Sequence, residues 1–454
     1  MEPTAQQTIA EVDEAPQPSC PTPVPTPPAA HPGIGSRLAK LILKRLLASV
    51  GNPSATWVLW TGEEIRTGDH PQQFRISAAD QKTFWTVMSD PYFQFGEAYA
   101  EGRIEIEGDL IDFLQMLNRA FYRLQRTDTV SGLLSLIPKP PRRNTLKRSR
   151  DNIHHHYDIG NDFYRLWLDE QLAYTCAYFA DSMFSLEQAQ VAKMDHVCRK
   201  VWLRPGETVI EAGCGWGALA LHMARHYGVR VKACNISREQ IEFARRRAQA
   251  EGLQDRVEFI EDDWRNLTGR YDAFVSVGML EHVGVANYRE LGEVIHRSLN
   301  ENGRGLIHTI GQNKARPSDR WTERRIFPGA YPPALSEMMK IFEAREYSVL
   351  DVENLRLHYA ETLRHWLDRF EQSIDEIRCM FDERFVRMWR LYLAGSCAGF
   401  DTGGLQLFQV VFIPGKQTAI PRNRAHQYPE GASTAGQFFS SPKQGSGWWS
   451  DATS

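Results

Sequence analysis

From about residue 205 onward, two hydrophobic periodicities alternate along the chain. Short runs rich in β-branched and apolar residues fall at 208–212, 229–233, 256–260, 271–277 and 304–310. Stretches with apolar residues at helical spacing fall near 217–226, 237–250 and 287–299. The first kind predicts buried strands and the second amphipathic helices. Their alternation predicts right-handed βαβ units around a mostly parallel sheet, so the fold class is α/β. Ligands of such sheets bind outside the carboxyl ends of the strands.

The first third of the chain reads differently. Residues 36–47 predict a short amphipathic helix whose polar face is wholly basic. Such a helix either packs on the domain that follows or lies on an anionic membrane surface. Residues 56–107 alternate turns with short β-rich runs, and a helix follows from about 109 to 125, giving a small α+β domain. The predicted organisation is a Pro-rich tail at 1–35, this domain at 36–128, a basic linker at 129–150, the α/β domain at 151–418 and a second tail at 419–454. Both tails read as disordered, because neither carries the apolar surface that folding requires. The linker holds Lys139, Arg142, Arg143, Lys147, Arg148 and Arg150 with no acid among them. Beside an anionic leaflet each cation contributes about 1 kcal/mol.

Composition narrows the choices. A net charge of −3 over 454 residues argues against a nucleic-acid binder as a description of the whole chain. No apolar run is long enough to predict a transmembrane helix, and the N-terminus lacks the pattern of a secretory signal. The seven cysteines are scattered without a C-x-x-C pair, which fits a reducing cytoplasm and no structural zinc site. The run His154-His155-His156 does not make a metal site, since three consecutive residues cannot all face one ion in regular structure.

Candidate chemistry clusters at predicted strand ends. After the first strand comes Glu211-Ala212-Gly213-Cys214-Gly215-Trp216-Gly217, then a helical pattern. Glycines there let the backbone pass close to a ligand, and the helix start offers N–H groups to an anion. The spacing is G-x-G-x-G, not that of the dinucleotide fingerprint, and with the preceding acid it resembles the first motif of S-adenosylmethionine-dependent methyltransferases. A tight βα turn without a ligand is the alternative. Asn235 and Gln240 follow the second strand, suited to ribose hydroxyls. Asp263 and Trp264 follow the third, suited to the amine and the face of an adenine, with ordinary core packing the alternative for Trp264. Glu281 follows the fourth strand and His308 ends the fifth. Upstream, Cys176 sits in Tyr174-Thr175-Cys176-Ala177-Tyr178-Phe179 with no histidine close in sequence to activate it.

Together these motifs resemble the cyclopropane-fatty-acyl-phospholipid synthases and the related mycolic acid cyclopropane synthases. The resemblance spans nearly all of residues 50–415. It rests on His156-Tyr157-Asp158-x-Gly160-Asn161, Tyr174-x-Cys176-Ala177-Tyr178, the glycine run, Ser276-Val277-Gly278-Met279-x-Glu281-His282-Val283-Gly284, His308-Thr309-Ile310-Gly311 and Gln406-x-x-Gln409-Val410-Val411-Phe412, in that order. In the first domain, Asp90-Pro91, Gly96-Glu97-Ala98-Tyr99 and Gly102-x-Ile104-x-Ile106-x-Gly108 are similar to the synthases' N-terminal lipid-associated domain, which favours the phospholipid-acting branch.

The resemblance implies a Rossmann-like class I methyltransferase domain and a reaction on the cis double bond of unsaturated phospholipid acyl chains. The double bond takes the methyl of S-adenosylmethionine, a carbocation forms, and loss of a proton to a bound bicarbonate closes a cyclopropane ring. The same first step ending in a methyl or methylene branch is the alternative. The bicarbonate residues carry over onto Cys176 (through its backbone), Glu281, His308 and Tyr359, with the Ile310 backbone assisting. The cofactor residues carry over onto Tyr174, Thr175, Glu211, Gly213, Gly215, Gly217, Asn235, Gln240, Asp263 and Trp264. Tyr157, Tyr174, Tyr178 and Phe179 are candidates for an aromatic wall that excludes water and stabilises the cation. The implied setting is cytoplasmic, at the inner face of an anionic membrane, and a homodimer stays open. Glu211, Thr175 and Asn235 stand where the family more often has Asp, Ser and Thr.

Overall fold

The computed structural model describes residues 34–68, 72–126 and 159–428. The expected tails before 34 and after 428, the basic linker, His154-His155-His156 and Tyr157 lie outside the described residues.

The first domain runs α1 (Ile34–Ser49), β1 (Ala55–Val58), β2 (Glu64–Thr67), β3 (Arg75–Ala78), α2 (Gln81–Ser89), α3 (Pro91–Ala100), β4 (Ile104–Glu107) and α4 (Leu110–Arg126). Its four strands lie in the order β2-β1-β3-β4. Helix α1 splits its apolar residues between two faces. Ala39, Leu43 and Leu47 pack against Leu59, Ile65 and Phe84, while Ile34, Leu38 and Leu41 stay exposed. The exposed side also carries Arg37, Lys44 and Arg45. No described helix is long and apolar enough to cross a membrane.

The second domain opens with α5 (Asn161–Arg165) and α6 (Leu186–Lys200), and then alternates as the periodicities predict. Its sheet consists of β5 (Thr208–Ala212), β6 (Arg230–Asn235), β7 (Val257–Glu261), β8 (Tyr271–Val277), β9 (Leu299–Gly311), β10 (Ser348–Asn354) and β11 (Gln406–Ile413), in the order β10-β11-β9-β8-β5-β6-β7. Pairing is parallel from β9 to β7 and antiparallel where β11 joins β9 and β10. Alternate residues of each strand serve opposite faces. Val209, Val231 and Val275 meet α6, α7 (Ala218–His226) and α8 (Arg238–Ala250). Ile210, Phe274 and Ile307 meet α10 (Tyr288–Ser298) and α12 (Leu335–Glu343), with the short α9 (Leu280–Val283) and α11 (Arg320–Arg325) flanking. The strand order reverses between β5 and β8, so the ligand crevice lies beyond their carboxyl ends.

Three features depart from expectation. Strand β9 starts at Leu299, not 304, because Leu299 pairs with Tyr271 ahead of a register shift. The polar run Asn300–Gly303 disguises that start as a turn. The antiparallel β10 and β11 extend the sheet beyond the five strands predicted. Between them the chain forms α13 (Arg356–Gln372), α14 (Ile374–Met380) and α15 (Glu383–Asp401). Finally, residues 419–428 hold to the fold instead of beginning a tail. Arg424 and Gln427 both bond the buried Asp351, at 2.7 and 2.9 Å.

An aromatic core joins the two domains. Phe163, Tyr164, Trp167, Trp216, Trp366 and Trp389 form one cluster with Phe93 and Tyr99 of the first domain. Glu97 anchors the junction by accepting from Trp321 Nε1 at 3.0 Å and Arg325 Nε at 2.8 Å. Burial works against that carboxylate, but the Arg325 and Arg384 charges hold its pKa below the usual value.

Candidate active site

The glycine loop turns sharply after β5, with positive φ at Gly213 (86°), Gly215 (53°) and Gly217 (84°). The three glycines have different reasons. A Cβ on Gly213 would lie 2.9 Å from Met279 Cβ, and one on Gly217 would lie 2.6 Å from Phe259 Cζ. Gly215 has nothing within 4 Å, so it borders open space. The Gly213 and Cys214 amides donate to the Cys234 carbonyl at 2.9 and 3.1 Å, which ties the loop to β6. Trp216 Nε1 donates to Asn161 Oδ1 at 2.7 Å, joining the loop to the upstream Gly160-Asn161 motif.

The other cofactor candidates divide. Asn235 Nδ2 donates to Gln240 Oε1 at 2.5 Å, and Gln240 Nε2 is buried without a protein partner. That pair sits at the carboxyl end of β6, as expected. Asp263 and Trp264 follow β7 as expected, and both are also engaged by protein groups. Asp263 is 1% exposed and both its oxygens accept from Arg265 Nη1 at 3.0 Å, so it holds the turn after β7. Trp264 belongs to the core, with the Arg265 guanidinium 4.5 Å from its ring centroid. Glu211 lies buried beneath the loop, and burial pushes its carboxyl up to about 8 against the pull of Lys193.

Across the crevice, four distant segments meet. The Ile310 amide donates to Glu281 Oε1 at 2.6 Å. The resemblance gave that amide to bicarbonate; in this structure it donates to the buried Glu281 carboxylate. Glu281 Oε2 is buried with no hydrogen-bond partner, and burial raises this acid to about 7. His308 stands opposite Gln409 in the β9–β11 register, with Gln409 Nε2 3.0 Å from His308 Nδ1. With the amide donating, Nδ1 accepts and Nε2 carries the proton. Burial first, then the Lys193, Lys200 and His196 charges, push His308 down to about 3, so it is neutral near pH 7. Cys176 Sγ donates to the neighbouring Ala177 carbonyl at 3.1 Å, and burial raises its thiol pKa far above the usual range. It is no nucleophile. Tyr359 stacks on Phe400 at 4.5 Å, one turn beyond Leu355, whose carbonyl lies 3.9 Å from Cys176 Sγ.

The aromatic wall is narrower than expected at one side and deeper at another. Tyr174 sits amid Tyr164, Trp167 and Trp366, and its hydroxyl is 2.8 Å from that of Tyr392. Tyr178 and Phe179 lie at the margin, stacked on His196 and His365. Phe327, Trp366, Trp389 and Tyr392 were missed, because none belongs to a motif. So were Gln190 and Lys193, which hold the 173–175 segment from α6. Their signal was present: Gln190, Lys193 and Lys200 form a polar stripe at helical spacing that turns inward.

Known proteins resemble this chain over most of its length. The family model for mycolic acid cyclopropane synthetase matches residues 144–410, and a domain of unknown function (DUF7884) matches 42–126. The cyclopropane-fatty-acyl-phospholipid synthase of Escherichia coli is 35% identical over 361 residues, covering 78% of this chain and 91% of its own length. A probable fatty acid methyltransferase of Pseudomonas putida is 35% identical over 365 residues, covering 78% and 90%. A crystal structure of a mycolic acid cyclopropane synthase complexed with S-adenosylhomocysteine and CTAB superposes with a TM-score of 0.55 at 28% identity, covering 58% of this chain and 97% of that one.

Proposed function

The chain belongs to the mycolic acid cyclopropane synthetase family and is an S-adenosylmethionine-dependent methyltransferase, and from that premise we propose that it forms cyclopropane rings on unsaturated acyl chains of membrane phospholipids. The observation that carries this reading is the unpartnered Glu281 Oε2 just after β8 together with a neutral, buried His308 on the adjacent β9, where it pairs with Val277. One offers an acceptor and the other an N–H donor, the pair of groups that a bicarbonate needs. An alkene is a weak nucleophile, so its alignment with the sulfonium methyl dominates the first step. The alkene π electrons form the new C–C bond as the C–S bond breaks and S-adenosylhomocysteine leaves. A bicarbonate held here would supply the base for one proton of the added methyl, and the electrons of that C–H bond would close the ring. Glu281 and His308 would hold that base, with Tyr359 contributing from α13. The Tyr174 cluster keeps water from the cation.

In this reading residues 36–128 act as the lipid-associated domain. Support comes from the exposed Ile34, Leu38 and Leu41 on α1 beside Arg37, Lys44 and Arg45, apolar and basic groups that suit an anionic bilayer surface. The test is expression in a host without such an enzyme, followed by mass spectrometry and proton NMR of its fatty acids. Acyl chains heavier by one CH₂, with upfield ring-methylene protons, are expected. No CH₂-shifted chains would overturn the reading, and an olefinic methylene signal would replace ring closure with branching.

A further inference from the structure

Helix α6 carries a lysine that the reaction so far leaves unused. Lys193 is 3% exposed, and its Nζ lies 2.9 Å from Thr175 Oγ1. Among the described residues no carboxylate reaches within ion-pair distance of that Nζ. Asp169 and Glu211 are near enough to act on it electrostatically, yet the Asp169 oxygens accept from the Gln171 and Ala173 amides, and Glu211 Oε2 has no partner. A buried ammonium without a contacting counter-ion is costly unless an anion arrives to share its field.

An ammonium donates only, so Thr175 Oγ1 must accept from Lys193. The single Thr175 O–H is thereby left to donate elsewhere. The Thr175 side chain packs against the end of β8. Its Cγ2 lies 3.0 Å from where a Cβ on Gly278 would stand, at the end of β8. Its backbone is pinned by Gln190, whose Nε2 donates to the Ala173 and Thr175 carbonyls at 3.1 and 2.9 Å.

We propose that Lys193 is a positioning residue that sets the Thr175 hydroxyl as a donor and places a positive charge behind it, selecting the carboxylate end of S-adenosylmethionine. The inference rests on Thr175 belonging to the cofactor site, as in the reading above. Thr175 lies with Gly278 at the carboxyl end of β8, beside the strand that ends in the glycine loop. Bicarbonate belongs instead beside Glu281 and His308.

The test is calorimetric binding of two ligands to the full chain. S-adenosylhomocysteine carries the carboxylate, and 5′-methylthioadenosine lacks the amino-acid end. The wild type is expected to prefer the first. Lys193→Met is expected to weaken it by about 10- to 100-fold while leaving methylthioadenosine binding nearly unchanged, the range for a hydrogen bond to a charged group. Should Lys193→Met fail to fold, the same comparison is made with Thr175→Val and Thr175→Ser. The first should lose the preference and the second keep it. In turnover, these changes raise KM for S-adenosylmethionine more than they lower kcat. Equal weakening of both ligands, or a preference that survives in Lys193→Met or Thr175→Val, overturns the inference alone. Wild-type binding of neither ligand overturns the cofactor reading and this inference with it.

Discussion

The two walls of the crevice are built on opposite plans. The cofactor wall uses short, contiguous segments tied by local bonds, Asn235 with Gln240, Asp263 with Arg265, and the Gly213 and Cys214 amides with Cys234, and leaves Gln240 Nε2 and Glu211 Oε2 without protein partners. The facing wall draws on β8, β9, the 174–179 segment and α13, and it leaves Glu281 Oε2 buried without a partner. Local bonds of the first kind keep a wall's shape before any ligand arrives. A wall with an unmet acceptor stores the cost of burial as selectivity for whatever meets it.

The largest test of that contrast is Glu281→Gln. It converts the unmet acceptor into an amide, and kcat should fall at least about 100-fold, the lower range for loss of a group acting in proton transfer. Binding of S-adenosylhomocysteine, measured by calorimetry, should hold. On the cofactor wall the loss falls on stability instead. Gly217→Ala would force a Cβ toward Phe259 and a side chain into positive φ, costing about 3 kcal/mol by denaturant unfolding. Gly215→Ala meets only the conformational penalty, about 1 kcal/mol. Equal costs at the two positions would refute the distinction drawn within the loop.

Dependence on pH sharpens the contrast further. Glu281 must be ionised to accept from bicarbonate, so kcat/KM should rise with pH through about 7. Its folded-state pKa is raised, so the sign for stability is reversed. That contribution is fully present below the usual value of 4.5 and is lost as pH rises through about 7. Activity and stability should therefore move in opposite directions across that window, and Glu281→Gln should remove this residue's share of both slopes. The smallest effect is expected for Cys176→Ala. Its thiol stays protonated and bonded to a neighbouring carbonyl, so activity should be largely retained and stability should fall by about 1 kcal/mol.

Legibility followed the same division. The five parallel strands, the glycine loop and the helix after it could be read in the chain because each depends on neighbours in sequence. The pair Glu281 and His308 was also legible, since both lie at strand ends that the alternation predicts. Less visible were β10, β11 and the helices between them, because antiparallel closure at one sheet edge leaves no βαβ signature. The protein contacts of Asp263 and Trp264 were hidden for a related reason. The motif shows which residues are there, but Arg265 lies next to both and takes the carboxylate and one ring face.

The sequence by itself determined the five parallel strands, the glycine loop and the family of chemistry, because periodicity and glycine spacing are local constraints. Only the tertiary structure decided which polar groups are left unmet. It buried Lys193 behind Thr175, turned Asp263 to Arg265, and gave the Ile310 amide to Glu281 while leaving the second oxygen of that carboxylate bare. Whether a buried donor or acceptor finds a partner depends on segments up to hundreds of residues apart, and no local pattern records that meeting.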